Sequence, residues 1–539
     1  MKLLRIAIFS HRTGTIALTL IGAMSGLVNA IGYVEIAGHT RAERLVFARQ
    51  MELFGQQLTY LLPAPMQLDT MGGYLTWRAF GGVALLFAIW GVIAGTGAAR
   101  GDEERGLTES WLAAGVSRLR WLATRSAGFL VASAFAVALA CAATEAGTII
   151  ESDALPIGPL VAEGVLLLGT TLVAFGLGMV VAQFVVTRRV AGTLGSAILI
   201  ALYVLNSASR AGSDVGALKW LSPFYLFDRS TPLLEGSPVD VPSTIALFAI
   251  SAILVVLATA GFVARDLGGP LIRRGVERVR ASFRPSADPL LRLPVLATVD
   301  QQRFWVAGWA VGLGAMGVFL ASLVRTLVDT LGAVPQMKIY LEVLGINAYS
   351  DFVGVIWFGT ALFLLSAMVI VQANGWAADD GEGRLEAILA AGASRARIVV
   401  ERIAALVIES AIVIALSSIA VYVATKAFDI DIPADRFILA TALTVPVAFA
   451  IGALGQWLVG WRPRVAVVLL GALAVWSYFD QQIAPLFKWP EWVMRLSFFE
   501  LYGTPMTKDD WAGIAALVAI GIAGTALALV STQRRDVGT

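Results

Sequence analysis

Charge and reactive side chains are scarce in this chain. Of its 539 residues only 14% are Asp, Glu, Lys or Arg, against roughly 25% in a soluble globular domain. The one cysteine, Cys141, has no intrachain disulfide partner. Two histidines, His11 and His39, are too few and too scattered for a metal cluster or an imidazole proton relay. Lysine occurs six times, at Lys2, Lys219, Lys338, Lys426, Lys488 and Lys508, and never follows a glycine. That excludes the G-x-x-x-x-G-K-[ST] loop with which an ATPase cradles nucleotide phosphates. Neither a Ser-His-Asp set nor an HExxH spacing occurs, so the sequence does not describe an enzyme. A net charge of +2 argues against a nucleic-acid partner.

What the chain has instead is apolar length. Hydrophobic residues make up 58% of it and the mean hydropathy is +0.78. Apolar runs of about 20 residues recur throughout, each able to cross a hydrocarbon core roughly 30 Å thick as a helix. The expected spans lie near 14–36, 77–98, 122–149, 158–186, 190–207 and 241–264. A second set lies near 304–326, 353–375, 404–424, 437–459, 465–479 and 511–530. The fold expected is therefore an all-α integral membrane protein with twelve transmembrane helices. Arginines collect in every second connection and at both ends, for example Arg100, Arg105, Arg118, Arg120, Arg188, Arg189, Arg395 and Arg397. By the positive-inside rule both termini are cytoplasmic, in a multi-pass protein of the bacterial plasma membrane. The opening "MKLLRIAIFSHRTG" has the basic start of a signal peptide, but its apolar run continues to Ile36, so it counts as the first span.

One charged phrase occurs twice. "GDEERGLTESWLAAGVSRLR" begins at Gly101, and "ADDGEGRLEAILAAGASRAR" begins at Ala378. Setting Asp102 against Asp379 pairs Gly106 with Gly383, Glu109 with Glu386, Leu112 with Leu389, Ser117-Arg118 with Ser394-Arg395, and Arg125 with Arg402. "LSPF" at Leu221–Phe224 answers "LSFF" at Leu496–Phe499, and "RDLG" at Arg265–Gly268 answers "RDVG" at Arg535–Gly538. Six spans separate each pair. The pattern implies two parallel-topology six-helix repeats, 1–268 and 304–539, joined by a basic cytoplasmic linker at 269–303.

Within each copy Glu109, Leu112, Ala113 and Val116, or Glu386, Leu389, Ala390 and Ala393, recur at three- and four-residue spacing. That predicts a short helix with one apolar and one charged edge. Acids precede it and arginines come after it, which suits the helix dipole. A helix lying on the membrane surface constrains amphipathicity but not identity. A protein partner that binds the same way twice constrains both.

At these residues the chain resembles the membrane subunits of type-two ABC exporters, whose cytoplasmic helix between the second and third spans has a phrase like E-x-x-x-G-x-x-E-x-L-L-x-x-x-x-S-R. "ERGLTESWLAAGVSR" and "GEGRLEAILAAGASR" are both similar to it, and "LSPFYLF" resembles the family's turn before its sixth span. The double-length form resembles bacterial permeases that export polyketide antibiotics. Trp111 stands where the family has an aliphatic residue, and Phe498 stands where the first copy has Pro223. The resemblance implies an ATP-driven exporter of amphipathic drugs or natural products. It implies a separate ABC ATPase, most simply a homodimer, which carries the ATP and Mg; this chain binds no cofactor. The coupling residues it implies are Glu104, Arg105, Gly106, Glu109, Trp111, Leu112, Ser117 and Arg118, then Glu382, Gly383, Glu386, Ile388, Leu389, Ser394 and Arg395.

The alternative is a twelve-span secondary transporter of the facilitator type, also built of six-plus-six repeats. "GTGAARGDEERG" at Gly95–Gly106 lacks the residue order of that family's signature loop. For a substrate path the sequence offers Glu145 and Glu163 near the outer ends of their spans and Glu409 near the inner end of its own. Ionisable groups within a span usually face protein or water. Trp90 and Phe363 have rings suited to stacking on a drug or to anchoring at the lipid interface. Between the first two spans Phe47, Met51, Phe54, Leu58 and Leu61 form an apolar stripe, with a shorter counterpart around Gln336–Leu344. The aromatic segments 208–240 and 480–510 are expected to dip back into the membrane as short helices.

Overall fold

The structure, a computed structural model, describes all residues except 1, 58–62, 211, 213, 273–287, 333–348, 382, 488–489, 509 and 535–539. The chain divides into two compact units, Met1–Arg280 and Ala281–Thr539. Among the described residues every regular element is a helix, apart from one isolated bridge between Thr504 and Lys508.

Unit 1 opens with α1 (Lys2–Ser10), α2 (Arg12–Ala37) and α3 (Arg41–Gln57). Next come a long helical stretch α4 (Met71–Glu104), the short α5 (Leu107–Ala113) and the spans α6 (Arg118–Ile150), α7 (Ile157–Phe184) and α8 (Arg188–Arg210). A buried turn of helix, α9 (Pro223–Asp228), precedes α10 (Val241–Ala264). Unit 2 contains α11 (Pro294–Gln301), α12 (Arg303–Gly332), α13 (Tyr349–Gly381), α14 (Arg384–Ala390), α15 (Arg395–Ala427), α16 (Ala434–Trp461), α17 (Pro463–Phe487), α18 (Phe498–Tyr502) and α19 (Trp511–Arg534).

Eleven helices among the described residues are long and apolar enough to cross a membrane. The twelfth expected span, near 465–479, falls within the 25-residue helix α17, whose described side chains give the apolar stretch Val465–Tyr478. The second span departs from expectation. α4 runs on to Glu104, past the expected end near residue 98, so Asp102, Glu103 and Glu104 finish a spanning helix. It contains two π-helical segments, Thr76–Phe80 and Gly97–Gly101. Such bulges insert a residue into the ladder and re-aim the next turns of the helix.

Small residues let the central pair of unit 1 touch. A Cβ built on Gly95 of α4 would lie 2.2 Å from the Phe175 carbonyl of α7, and one on Gly178 would lie 2.5 Å from that of Val92. This backbone-to-backbone approach is how helices gain packing where lipid removes the hydrophobic drive. Ala88, Val92, Ala174, Leu199 and Phe224 close around it as a core. In unit 2 Val399, Ile403, Ala453 and Ala528 play the corresponding part among α15, α16 and α19.

Short helices form in both aromatic segments, α9 and α18. Ser222 Oγ donates to the Leu202 carbonyl at 2.8 Å ahead of α9, and Ser497 Oγ donates to that of Ser477 at 3.2 Å ahead of α18. Of the apolar stripe, Phe47 is buried against Tyr33 and Tyr74. Leu58, Leu61 and the counterpart around Gln336–Leu344 lie outside the described residues.

Candidate functional site: two short helices between glycines

The repeated phrase folds the same way in each unit. Gly106, at φ 68°, precedes α5, and Gly383, at φ 72°, precedes α14; each of these helices is seven residues long. Both glycines occupy the left-handed region, which costs other L-residues roughly 1–2 kcal/mol. A second left-handed glycine ends each turn, Gly115 at φ 85° and Gly392 at φ 90°. The Gly115 amide donates to the Leu112 carbonyl and the Val116 amide to that of Trp111, a pair of bonds that terminates a helix. Val116 and Ala393 therefore lie beyond the short helix and not on its apolar edge, as their spacing predicts, because the glycine reverses the chain first.

Ser117 and Ser394 cap the next helices. Each Oγ accepts from a backbone amide at 3.2 Å, that of Arg120 or of Arg397. Arg118 Nη1 donates to the carbonyls of Arg265 at 2.7 Å and Val263 at 3.2 Å, at the end of α10. Arg395 Nη1 donates to those of Thr532 at 2.9 Å and Gln533 at 3.2 Å, at the end of α19. A cation on the last carbonyls of a helix satisfies orphan acceptors and the dipole together. Asp102 pairs with Arg125, and Asp379 pairs with Arg402 at 2.7 Å and with Arg384 at 3.0 Å. Glu104 accepts from the Arg188 amide. These residues hold the short helices in place; they are positioning residues.

What remains outward is a small set. Arg105, Glu109, Glu386 and Ile388 are exposed, while Leu112 and Leu389 are half-buried. Trp111 stacks on Trp121, with ring centroids 6.0 Å apart and 26° between planes, so one of its faces is already covered. Glu382 lies outside the described residues.

Unit 1 adds a feature that sequence reasoning misses. The Glu103 carboxylate accepts from Arg100 at 3.1 Å, from Arg265 at 2.8 and 2.5 Å, and from the Gly268 amide. Arg265 also donates to Gln183 Oε1 at 2.7 Å, and Arg100 to the carbonyls of Ala182 at 3.0 Å and Gly269 at 2.6 Å. The knot ties α4, α7 and the segment after α10 together directly behind α5. The tetrad Arg265–Gly268 is the signal that could have found it, since it recurs as Arg535–Gly538. The second copy lies outside the described residues, and Arg100 corresponds to Ala377 in the pairing of the phrases.

The substrate-path candidates fall in different places. Trp90 is buried, edge-on to Phe129 at 4.9 Å and close against Gly14, so it serves neither as a lipid anchor nor as an open stacking surface. Phe363 is half-buried beside Tyr478 at 4.8 Å. Glu145 is half-buried and accepts from Thr148 at 3.4 Å. Glu163 is fully buried. Glu409 is also fully buried and lies fourteen residues into the 33-residue α15, near its middle and not its inner end, because that helix starts at Arg395.

Eleven apolar helices of membrane-spanning length among the described residues define a polytopic membrane protein. The chain matches the family model "Multidrug efflux system permease Rv1217c, C-terminal domain" over residues 60–263 and 291–532. It belongs to that family. It is 26% identical over 493 residues to the multidrug efflux system permease protein Rv1217c of Mycobacterium tuberculosis, a match covering 88% of this chain and 84% of that protein. Family and fold together identify a transport permease and not a catalyst.

Proposed function

We propose that this chain is the membrane subunit of an ATP-driven ABC exporter, moving amphipathic drugs or natural products out of a bacterial cell. A separate ATPase, a homodimer carrying ATP and Mg, docks on α5 and α14 from the cytoplasmic side. Both termini lie on that side, and the two units are repeats of one six-span plan. The observation that carries this reading is the recurrence of one surface on two units. The same left-handed glycines, serine caps, arginine-to-carbonyl bonds and Asp–Arg pairs fix two seven-residue helices, and each leaves a glutamate, Glu109 or Glu386, exposed. A stack of matched internal restraints around an outward carboxylate serves a partner that must push on both helices. ATP-driven closure of that partner draws the helices together, and the units open their path outward as rigid bodies.

The test is a double charge reversal. Glu109→Lys with Glu386→Lys leaves the internal bonds intact, so the protein inserts and melts as the wild type does. Drug export and drug-stimulated ATP hydrolysis fall to background in the reconstituted permease–ATPase complex. Unchanged export by the double variant refutes the coupling assignment. Export by the permease with no ATPase present refutes the ABC reading in favour of a facilitator.

A further inference from the structure

At the end of unit 1 away from the arginine-rich connections, one carboxyl has no partner. Glu163 of α7 is 0% exposed, and neither of its oxygens is hydrogen-bonded. A buried ionised carboxylate needs a counter-charge or several donors, and the arginine ending α8 and the one in the segment after it are paired with aspartates, though Arg210 Nη1 is unbonded. Arg210 of α8 binds both oxygens of Asp228, at 2.5 and 2.7 Å. Arg229 is paired with Asp240, and Arg78 of α4 is exposed. Helix α10 contains no ionisable side chain, and α6 contributes Cys141 and Glu145 at this end.

Helix α8 brings further acceptors to the same region. Gly195 of α8 lies against Gly178 of α7. Counting fifteen residues from that crossing along the antiparallel pair sets Glu163 level with Arg210, about one turn beyond Asn206 and Ser207. Asn206 donates its Nδ2 to Asp228 at 2.7 Å, which leaves Oδ1 as an unbonded acceptor. Ser207 Oγ is likewise unbonded, and both residues are at least 95% buried. On the third side Gly164 brings α7 close to Cys141, where a Cβ would meet Sγ at 2.8 Å. An unpaired carboxylate with an unbonded amide oxygen and hydroxyl about one turn away by that count asks for a ligand that donates several hydrogen bonds and carries positive charge. A divalent metal asks for more oxygens than this, and no cluster of three metal-ligating residues occurs among the described residues.

We propose that Glu163 recognises a protonated amine on the exported molecule, with Asn206 Oδ1 and Ser207 Oγ accepting from the same donor group. The inference rests on the exporter reading for its biological sense, but its test needs no ATPase. Purified protein in phosphatidylcholine nanodiscs is titrated with dansylcadaverine, a fluorescent amphipathic primary amine, and with its neutral N-acetyl and cationic N-trimethyl derivatives. Lipid-only nanodiscs are subtracted. The wild type binds the primary amine at least tenfold more tightly than either derivative. Glu163→Gln abolishes that preference, and Glu163→Asp, which keeps the charge, retains part of it. Equal binding of all three probes to the wild type overturns the proposal even if the Gln variant fails to insert. So does an amine preference undiminished in Glu163→Gln. Failure of ATPase association, with amine binding intact, would count against the exporter mechanism alone.

Discussion

Removing the Glu103 carboxylate is the most demanding perturbation of the local architecture. The side chains of Arg100 and Arg265 are 0% exposed and that of Glu103 is 3% exposed, so solvent screens none of these charges appreciably. In Glu103→Ala both guanidinium groups keep their carbonyl or amide partners but lose the carboxylate they share, and the Gly268 amide loses its acceptor. Breaking a buried pair from one side costs about 3–5 kcal/mol, since a desolvated charge is left behind. At roughly 2–4 °C per kcal/mol for a domain of this size, the melting temperature of detergent-purified protein falls on the order of 6–20 °C. Intrinsic fluorescence or size-exclusion after heating reads the shift. Glu109→Ala, at an exposed position, is the control and stays within about 1 °C of the wild type. A Glu103→Ala protein that melts with its parent refutes the idea that this knot holds α4 to the end of α10.

The geometry of the short helices dictates two further outcomes. Gly106→Ala and Gly383→Ala each force a side chain into the left-handed region at a cost of roughly 1–2 kcal/mol, misplacing α5 or α14 and lowering drug-stimulated ATP hydrolysis; asparagine at either site, which tolerates that conformation, restores most of it. If alanine is as active as glycine, the turn is not what sets the helix. Trp111→Ala weakens pull-down of the ATPase more than Ile388→Ala, because a half-covered indole still offers more apolar area than an isoleucine. Equal losses, or a Trp121→Ala variant that reproduces the Trp111 effect, place the tryptophan's role inside unit 1 and not at the partner surface.

Spanning helices are legible in the residue order because the bilayer demands length and apolarity, and both are properties of a contiguous string. The paired phrases are legible for a similar reason. A left-handed glycine, a serine cap and an arginine at a fixed distance are local devices, and Gly106, Ser117 and Arg118 act within a few residues of where they stand. Their targets are not local. Nothing near Arg118 in sequence points to the carbonyl of Arg265, and Glu103 reads as one acid among four until α4 continues far enough to bury it. The mid-helix position of Glu409 and the isolation of Glu163 likewise depend on where helices start and what they pack against. Hydropathy reports what a segment tolerates on average. Only the folded chain decides which polar atom meets a partner and which is left without one, because that depends on crossing points between helices distant in sequence, such as Gly95 against Phe175.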